Sequence, residues 1–232
     1  MIIALNNKSN LDKNEFKNYI KKLYQINTTH KLIVCPSFLN ISSVDSKKII
    51  LGAQDVSAYG QGPHTGEVSA PQLKSYGVSC VIVGHSERRE EKLETDDEIR
   101  QKVKNCLSSK IAPILCVGET LKERDKNLVT KVLRKELTAA TKGLTEDEKS
   151  HIVIAYEPIW SIGTGVTPTN DQIKSVITMI KGMLPHCKVL YGGSVTEENI
   201  DTLKEIKEID GYLIGGLSLK PEKLMEFLNK IK

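Results

Sequence analysis

Four side chains suited to proton transfer or to holding an anion each follow a short apolar run of the sequence: Asn6, Lys8, His85 and Glu157. A carboxylate can remove a proton as a general base, and an imidazole can donate a hydrogen bond to a carbonyl oxygen. An ammonium group beside them can stabilise negative charge that forms during a reaction. Each of these residues alone could equally be an ordinary surface or structural residue. A catalytic site is predicted only if the fold brings the four side chains together.

His85 follows Gly84 directly and opens a short polar segment of helical character. The positive end of a helix dipole disfavours protonation of an imidazole in that position, so we expect an uncharged His85 that donates a hydrogen bond. Glu157 precedes Pro158, which fixes the backbone behind it. We expect this carboxylate to remove a proton.

A mobile lid is predicted over nine consecutive residues: Pro158, Ile159, Trp160, Ser161, Ile162, Gly163, Thr164, Gly165 and Val166. Trp160 is a bulky anchor, and the small residues Gly163-Thr164-Gly165 can bring backbone N–H groups close to a ligand. Further on, Thr169 and Gln172 fit a capping box, so a helix begins at a defined residue. A segment between two fixed ends can close over a site. The alternative is a static turn that leads into a capped helix.

Two glycine pairs occur where successive strands are predicted to end. Gly192-Gly193 precedes Ser194, and Gly215-Gly216 follows the last apolar run. Backbone N–H donors near a helix N-terminus favour an anion, and Ser194 can add a hydroxyl donor. The two pairs together predict a phosphate site.

The elements that must position these residues are visible as eight short apolar runs: Ile2–Leu5, Leu32–Cys35, Ile49–Gly52, Cys80–Val83, Ala112–Val117, Ile152–Ala155, Lys188–Leu190 and Tyr212–Ile214. Between them lie stretches with helical spacing: Asn14–Tyr24, Asp96–Leu107, Leu128–Leu137, Gln172–Met183 and Pro221–Ile231. The run after Leu39 is weak, which predicts a reduced second helix.

Strands without polar alternation, separated by helices, predict a parallel sheet whose outer face is covered. Eight such units over residues 1–232 indicate one α/β domain, a closed (β/α)8 TIM barrel, rather than an open sheet. In such a barrel the chemistry lies in the loops after the carboxyl ends of the strands, where the polar and glycine-rich segments fall.

Composition excludes several classes of protein. The net charge of +4 and the aromatic content of 5% do not support a nucleic-acid-binding surface. The five cysteines form no CxxC pair, which predicts reduced, buried thiols and no disulfide framework. The apolar run near Met1 is too short to span a bilayer and lacks the pattern of a signal peptide, so no membrane partner and a cytoplasmic location are expected.

The segments at and after the ends of the predicted strands, taken in chain order, resemble the triosephosphate isomerase family almost from end to end of the sequence. The segments that carry the resemblance are NNK at 6–8, TGE at 65–67, GHSERR at 84–89, CVGETLKER at 116–124, AYEPIWSIGTG at 155–165, YGGS at 191–194 and LIGG at 213–216.

This resemblance implies interconversion of dihydroxyacetone phosphate and glyceraldehyde 3-phosphate through an enediolate, with no metal and no organic cofactor. Glu157 would move the proton, and neutral His85 would hydrogen-bond the enediolate oxygens. Asn6 and Lys8 would hold the substrate and offset its charge. The phosphate would be bound through four residues: Gly163, Ser194, Gly215 and Gly216.

The resemblance also implies a homodimer in which the loop after the third strand enters the partner near its active site. Thr65, Gly66 and Glu67 are the residues expected at that interface. Ser86 and Glu87 are expected to support the site, with Glu87 serving Lys8 or its loop.

The sequence departs from the family pattern after the lid and at the last loop. Val166-Thr167-Pro168 stands where a lysine and small residues are more common, and Leu217 replaces a small residue. Two other functions stay open from the residues alone. One is a binding protein that keeps the barrel and phosphate site, and the other is a barrel enzyme that acts on a different sugar phosphate.

Overall fold

The computed structural model describes residues 1–164 and 166–231, and within them eight parallel strands close into a barrel. Each strand pairs with its neighbours in chain order, and β1 pairs with both β2 and β8. The strands are β1 (Ile2–Asn6), β2 (Lys31–Cys35), β3 (Ile50–Ala53), β4 (Cys80–Val83), β5 (Ala112–Val117), β6 (Val153–Tyr156), β7 (Lys188–Tyr191) and β8 (Gly211–Ile214). The prediction of a closed (β/α)8 barrel is confirmed.

Helices cover the outside of this barrel. They are α1 (Lys13–Leu23), α2 (Ala70–Ser75), α3 (Ser86–Glu91), α4 (Asp96–Ser108), α5 (Leu121–Asp125), α6 (Val129–Thr141), α7 (Glu146–Ser150), α8 (Asn170–Met183), α9 (Ile200–Leu203) and α10 (Pro221–Lys230). Short 3-10 helices occupy Phe38–Ser43, Ile159–Ser161 and Gly216–Leu219. The second helical position therefore holds only a 3-10 helix, as the weak run after Leu39 predicts.

Each predicted strand matches the observed strand within one residue at either end. The helical stretch predicted over Leu128–Leu137 is too short, because α6 ends at Thr141. The helix continues to Thr141 because Ala140 and Thr141 extend its buried face, and the Thr141 hydroxyl donates to the Leu137 carbonyl at 2.7 Å. Gly143, with a φ of 79°, follows the end of the helix. The prediction ended early because the buried residues of this last turn are small and do not continue the pattern of large apolar side chains.

The strands are apolar throughout because both of their faces are buried. One set of side chains fills the interior of the barrel, and it includes Ile33, Cys35, Cys80, Ile82, Ile114, Cys116 and Leu190. The other set packs against the helices in a larger core. Burial on both sides explains why the strands lack polar alternation.

Capping boxes define where several helices begin, and most of them also define where a loop that follows a strand ends. The capping residues are Asp12, Ser69, Thr95, Thr120, Thr145 and Thr169. The box predicted for Thr169 and Gln172 is confirmed, with each side chain bonded to the other residue's backbone N–H. These caps satisfy N–H groups that would otherwise lack partners.

All five cysteines are free and buried. Cys35 and Cys80 extend into the barrel on either side of Gly52 in β3, and a Cβ added to Gly52 would lie 2.5 Å from the Cys35 sulfur. The side-chain contact with the Cys80 thiol and burial raise the pKa of Cys35, which keeps its thiol protonated. In residues 1–164 and 166–231, no helix has both the length and the apolarity needed to cross a bilayer.

We predict that Gly52→Ala lowers the free energy of unfolding by about 1–3 kcal/mol, because the added methyl group overpacks the barrel interior. Gly182→Ala is the matched control, since Gly182 lies in α8 and a Cβ there would meet nothing within 4 Å. This change should stabilise the protein by about 0.5–1 kcal/mol. Urea unfolding monitored by circular dichroism measures both, and equal stability of the two variants would contradict the packing described for Gly52.

Candidate active site

The predicted chemical residues line one cleft of about 370 Å³ at the carboxyl ends of the strands. Its walls include Asn6, Lys8, His85, Glu157, Gly163, Ser194, Gly215 and Gly216. These residues come from loops that are far apart in the sequence and meet only because the barrel closes. The structure therefore brings together every residue that was predicted to act on or bind the substrate.

Glu157 immediately follows β6 and is only 2% exposed. One carboxylate oxygen, Oε1, lies 3.1 Å from Nε2 of His85, and Oε2 accepts a hydrogen bond from the Ser86 backbone N–H at 3.1 Å. The Glu157 backbone N–H donates to the Val117 carbonyl at 2.8 Å, which continues the pairing of β5 and β6. The carboxylate is thus held beside the imidazole, away from bulk water.

His85 is the N-cap of α3, and its Nδ1 accepts a hydrogen bond from the Glu87 backbone N–H at 3.2 Å. A nitrogen that accepts cannot also carry a proton, so an uncharged ring has its proton on Nε2. Nε2 is the atom that faces Glu157 and the cleft. The fold therefore presents the imidazole as a hydrogen-bond donor to whatever occupies the cleft.

Lys8 lies at the start of the first loop in a left-handed conformation, with a φ of 53°. Its backbone N–H donates to Oδ1 of Asn6 at 3.1 Å, and its ammonium group forms an ion pair with Glu87. The amide of Gln54 donates to the Lys8 carbonyl at 2.7 Å and to the Cys35 carbonyl at 3.0 Å. These contacts offset the strain of the backbone and direct the lysine toward the cleft.

Gln54 was missed by the sequence analysis, although a signal was present. It directly follows β3, the position at which a barrel places functional residues.

The lid segment begins as the 3-10 helix Ile159–Ser161, and its base is fixed by Glu119. The indole N–H of Trp160 donates to Oε1 of Glu119 at 2.9 Å, and the Ile159 backbone N–H donates to the Glu119 carbonyl at 3.1 Å. Glu119 is completely buried and also accepts from Arg124 at 2.8 Å. The sequence analysis included Glu119 in a motif but did not identify this contact.

The rest of the lid leads from the cleft to α8. Ile162 and Gly163 line the cleft, and Gly163 has a φ of 70°. The Thr164 hydroxyl donates to the Trp160 carbonyl at 3.1 Å. Val166 is exposed, and Gly165, which was included in the predicted lid, lies outside the described residues.

Asn199 joins Thr167, the residue that follows the predicted lid, to the loop after β7. Its amide nitrogen donates to the Ser194 carbonyl at 2.8 Å and contacts the Thr167 hydroxyl at 3.4 Å. Ser194 itself lines the cleft. The predicted phosphate loop and the residue that follows the predicted lid therefore share one side-chain partner, which sequence spacing did not reveal.

The loop predicted for a dimer interface is exposed in the single chain. Thr65, Gly66 and Glu67 all face solvent, and Tyr59 in the same loop stacks on His64 with ring centroids 4.3 Å apart. A second cleft of about 480 Å³ lies beside Lys8 and is lined by residues such as Phe38, Glu87 and Arg88. Residues 65–67 are not among the residues that line either cleft of the described chain.

Behind Glu157, the partly buried carboxyl of Glu136 supports the end of β5. Oε2 of Glu136 accepts a hydrogen bond from the Gly118 backbone N–H at 3.0 Å, and Oε1 lies 3.5 Å from the Arg89 guanidinium. Burial raises the pKa of Glu136 to about 7, although Arg89 and the Gly118 N–H oppose the shift. Gly118 abuts the Glu157 backbone so closely that a Cβ there would lie 1.7 Å from the Glu157 carbonyl oxygen.

We predict that Glu136→Gln makes the protein less sensitive to alkaline pH. The raised pKa means that the folded state keeps a proton that the unfolded state loses, so this contribution is complete below about pH 4.5 and is lost as the pH rises through about 7. Between pH 5 and pH 8, the stability of Glu136→Gln relative to the parent should rise by about 2–3 kcal/mol. Chemical unfolding at fixed protein concentration measures the difference.

The exposed Glu226→Gln serves as the control for this experiment, and its stability relative to the parent should stay nearly constant over the same pH range. A stability difference between Glu136→Gln and the parent that is the same at pH 5 and pH 8 would show that Glu136 does not titrate in this range.

Comparison with known proteins identifies the family to which this arrangement belongs. A family model described as triosephosphate isomerase matches residues 1–231. A triosephosphate isomerase of Alkaliphilus metalliredigens is 38% identical over 98% of both chains, and one of Clostridium beijerinckii is 37% identical over 98% of both. A third, from Endomicrobium trichonymphae, is 40% identical over 87% of this chain and 86% of its own. The chain therefore belongs to the triosephosphate isomerase family and is an isomerase.

Proposed function

We propose that the protein interconverts dihydroxyacetone phosphate and glyceraldehyde 3-phosphate, with Glu157 as the base and uncharged His85 as the hydrogen-bond donor. The observation that carries this proposal is the 3.1 Å contact between the Glu157 carboxylate and Nε2 of His85 in a cleft with glycine-rich walls. The membership of the chain in the triosephosphate isomerase family supports the choice of substrate.

Glu157 removes a proton from one substrate carbon and returns it to the neighbouring carbon. Its Oε2 accepts a hydrogen bond from the Ser86 backbone N–H at 3.1 Å, and its Oε1 lies 3.1 Å from Nε2 of His85. A carboxylate that acts on a carbon must give up at least one of these contacts, so substrate binding and rearrangement of Glu157 are coupled. Ser86 then serves to hold the resting position of the base.

His85 donates from Nε2 to the substrate oxygens, on which negative charge develops as the enediolate forms. The Glu87 N–H that occupies Nδ1 keeps the donor proton on the correct nitrogen. Lys8 supplies a positive charge at the same cleft, and Asn6 holds the Lys8 backbone. Donors and charge fixed in advance stabilise a transition state without the cost of reorienting water.

The phosphate is bound by backbone donors at Gly163, Ser194, Gly215 and Gly216, all of which line the cleft. The small residues leave the backbone open to close approach by an anion. Closure of the lid over this site excludes water, which strengthens these interactions and protects the enediolate. The fixed base of the lid at Trp160 and the capped start of α8 support such a hinged movement.

The active form is a homodimer in which Thr65, Gly66 and Glu67 enter the second cleft of the partner copy. The exposure of these residues and the position of that cleft beside Lys8 support this arrangement. The exposed apolar side chain of Leu39, at 91%, suits an interface between copies. Five buried, unpaired thiols support a cytoplasmic location.

Glu157→Asp tests the role of the base. Shortening the side chain draws the carboxylate back by one methylene group, and we expect kcat to fall about 100-fold, because a misplacement of about 1 Å has this effect on a reacting group. Glu157→Gln should cost about 10² to 10⁴ in kcat, because it removes the base altogether. A coupled assay with glyceraldehyde 3-phosphate measures the rates.

Glu226→Asp, on the exposed face of α10, is the control and should keep the parental rate. Circular dichroism confirms that each variant is folded. A Glu157→Asp variant as fast as the parent would overturn the assignment of Glu157 as the base.

Thr65→Arg tests the dimer. A long charged side chain in a buried interface should weaken association, so we expect a dimeric parent and a mainly monomeric variant with reduced kcat in sedimentation and activity measurements. Thr178→Arg, on the exposed face of α8, should leave the dimer intact. A parent that sediments as a monomer at the concentrations of the assay would rule out the proposed assembly.

A further inference from the structure

Asn7 is a polar residue between two residues of the proposed site, and it is only 1% exposed. Its side chain points away from the cleft into the packing between β1, α1 and the segment after β8. The amide nitrogen donates to the Tyr19 hydroxyl at 3.0 Å and to the Ser218 hydroxyl at 3.3 Å. One side chain thus joins three elements, and its partner Ser218 is 211 residues away in the sequence.

Ser218 completes this connection with a defined set of donors and acceptors. Its hydroxyl donates to the Asn6 carbonyl at 3.2 Å, so its oxygen is free to accept from Asn7. Its backbone N–H donates to the Gly215 carbonyl at 2.8 Å. Ser218 therefore closes the turn that carries the glycine pair while binding the backbone of β1.

The turn closed by Ser218 lies directly against Lys8. A Cβ added to Gly215 would lie 3.4 Å from Cε and 3.9 Å from Nζ of Lys8. The ammonium group and the backbone of the phosphate loop therefore face the same part of the cleft. Their separation depends on how the first loop and the last loop are joined, and Asn7 and Ser218 join them.

We propose that Asn7 is a positioning residue that fixes the Lys8 ammonium group relative to the phosphate-binding turn Gly215–Ser218. Asn7 touches neither the substrate nor the reacting atoms. It acts by fixing the position of the loop after β1 relative to the loop after β8. The inference rests on the proposed function only in that the cleft binds a phosphate group.

If the two loops shift relative to each other, the contacts with the phosphate weaken. These contacts are the same in the bound substrate and in the transition state. Such uniform binding appears in KM, whereas a displaced Lys8 charge also stabilises the enediolate less and so lowers kcat. The expected result of cutting the connection is therefore a higher KM and weaker binding of inorganic phosphate, with a smaller fall in kcat. A purely structural role would lower the melting temperature and leave both constants alone.

The experiment compares three variants of the full chain: Asn7→Leu, Ser218→Ala and Tyr19→Phe. Asn7→Leu keeps the branching and the number of side-chain heavy atoms and removes the donors. Ser218→Ala removes the same contact from its other end, together with the hydrogen bond to the Asn6 carbonyl. Each should raise KM for glyceraldehyde 3-phosphate and the dissociation constant for inorganic phosphate about tenfold, as expected for one lost buried hydrogen bond. In KM, the double variant should be no worse than Ser218→Ala, because Ser218→Ala already removes the contact with Asn7.

Tyr19→Phe is the matched control, because it removes only the contact of Asn7 with α1. It should lower the melting temperature and keep the parental KM. Parental KM and phosphate affinity in a folded Asn7→Leu would overturn the proposal. If Asn7→Leu does not fold, Ser218→Ala decides the question, and parental constants in Ser218→Ala would overturn it equally.

Calorimetric titration with inorganic phosphate separates this inference from the proposed function, since it needs no turnover. A parent that binds phosphate without isomerising triose phosphates would contradict the proposed function, while a tenfold weaker Asn7→Leu would still support the positioning role. A parent with no affinity for phosphate would overturn both.

Discussion

The contact between the Glu157 carboxylate and the His85 imidazole is the constraint on which the rest of the site depends. The two residues follow β6 and β4, which are separated by β5, and alternate strands of a sheet lie about 10 Å apart. The side chains must meet across the end of β5. Gly118 permits this meeting, because any larger residue there would collide with the Glu157 backbone.

Around this contact, the surrounding residues fix orientation more than they supply chemistry. The Glu87 backbone selects the tautomer of His85, and Ser86 holds the resting carboxylate. Arg89 joins the ends of β4 and β5 by donating to the Gly84 and Cys116 carbonyls at 2.9 and 3.2 Å. A single segment after β4 therefore provides the donor and its orientation, and also the connection to the neighbouring strand.

The sequence predicted the barrel and the main site residues because both leave local signals. Strands buried on two faces are apolar without alternation, and residues such as Glu157 stand at the first position after a strand. The roles of Asn7, Glu119 and Glu136 left no such signal, since each depends on a partner that only the closed barrel brings near. Sequence spacing gives the period of an element, but it does not give the residue that a buried side chain meets across the molecule.

Trp160 is the only tryptophan in the chain, and it lies at the base of the lid segment. Its indole N–H is bound to the buried Glu119 carboxylate, and the Arg124 guanidinium lies 5.1 Å from its ring centroid. Indole emission depends strongly on nearby charges and hydrogen bonds. The protein therefore carries a built-in optical reporter whose signal originates at one point, so a change in the surroundings of Trp160 can be followed in solution without attaching a dye.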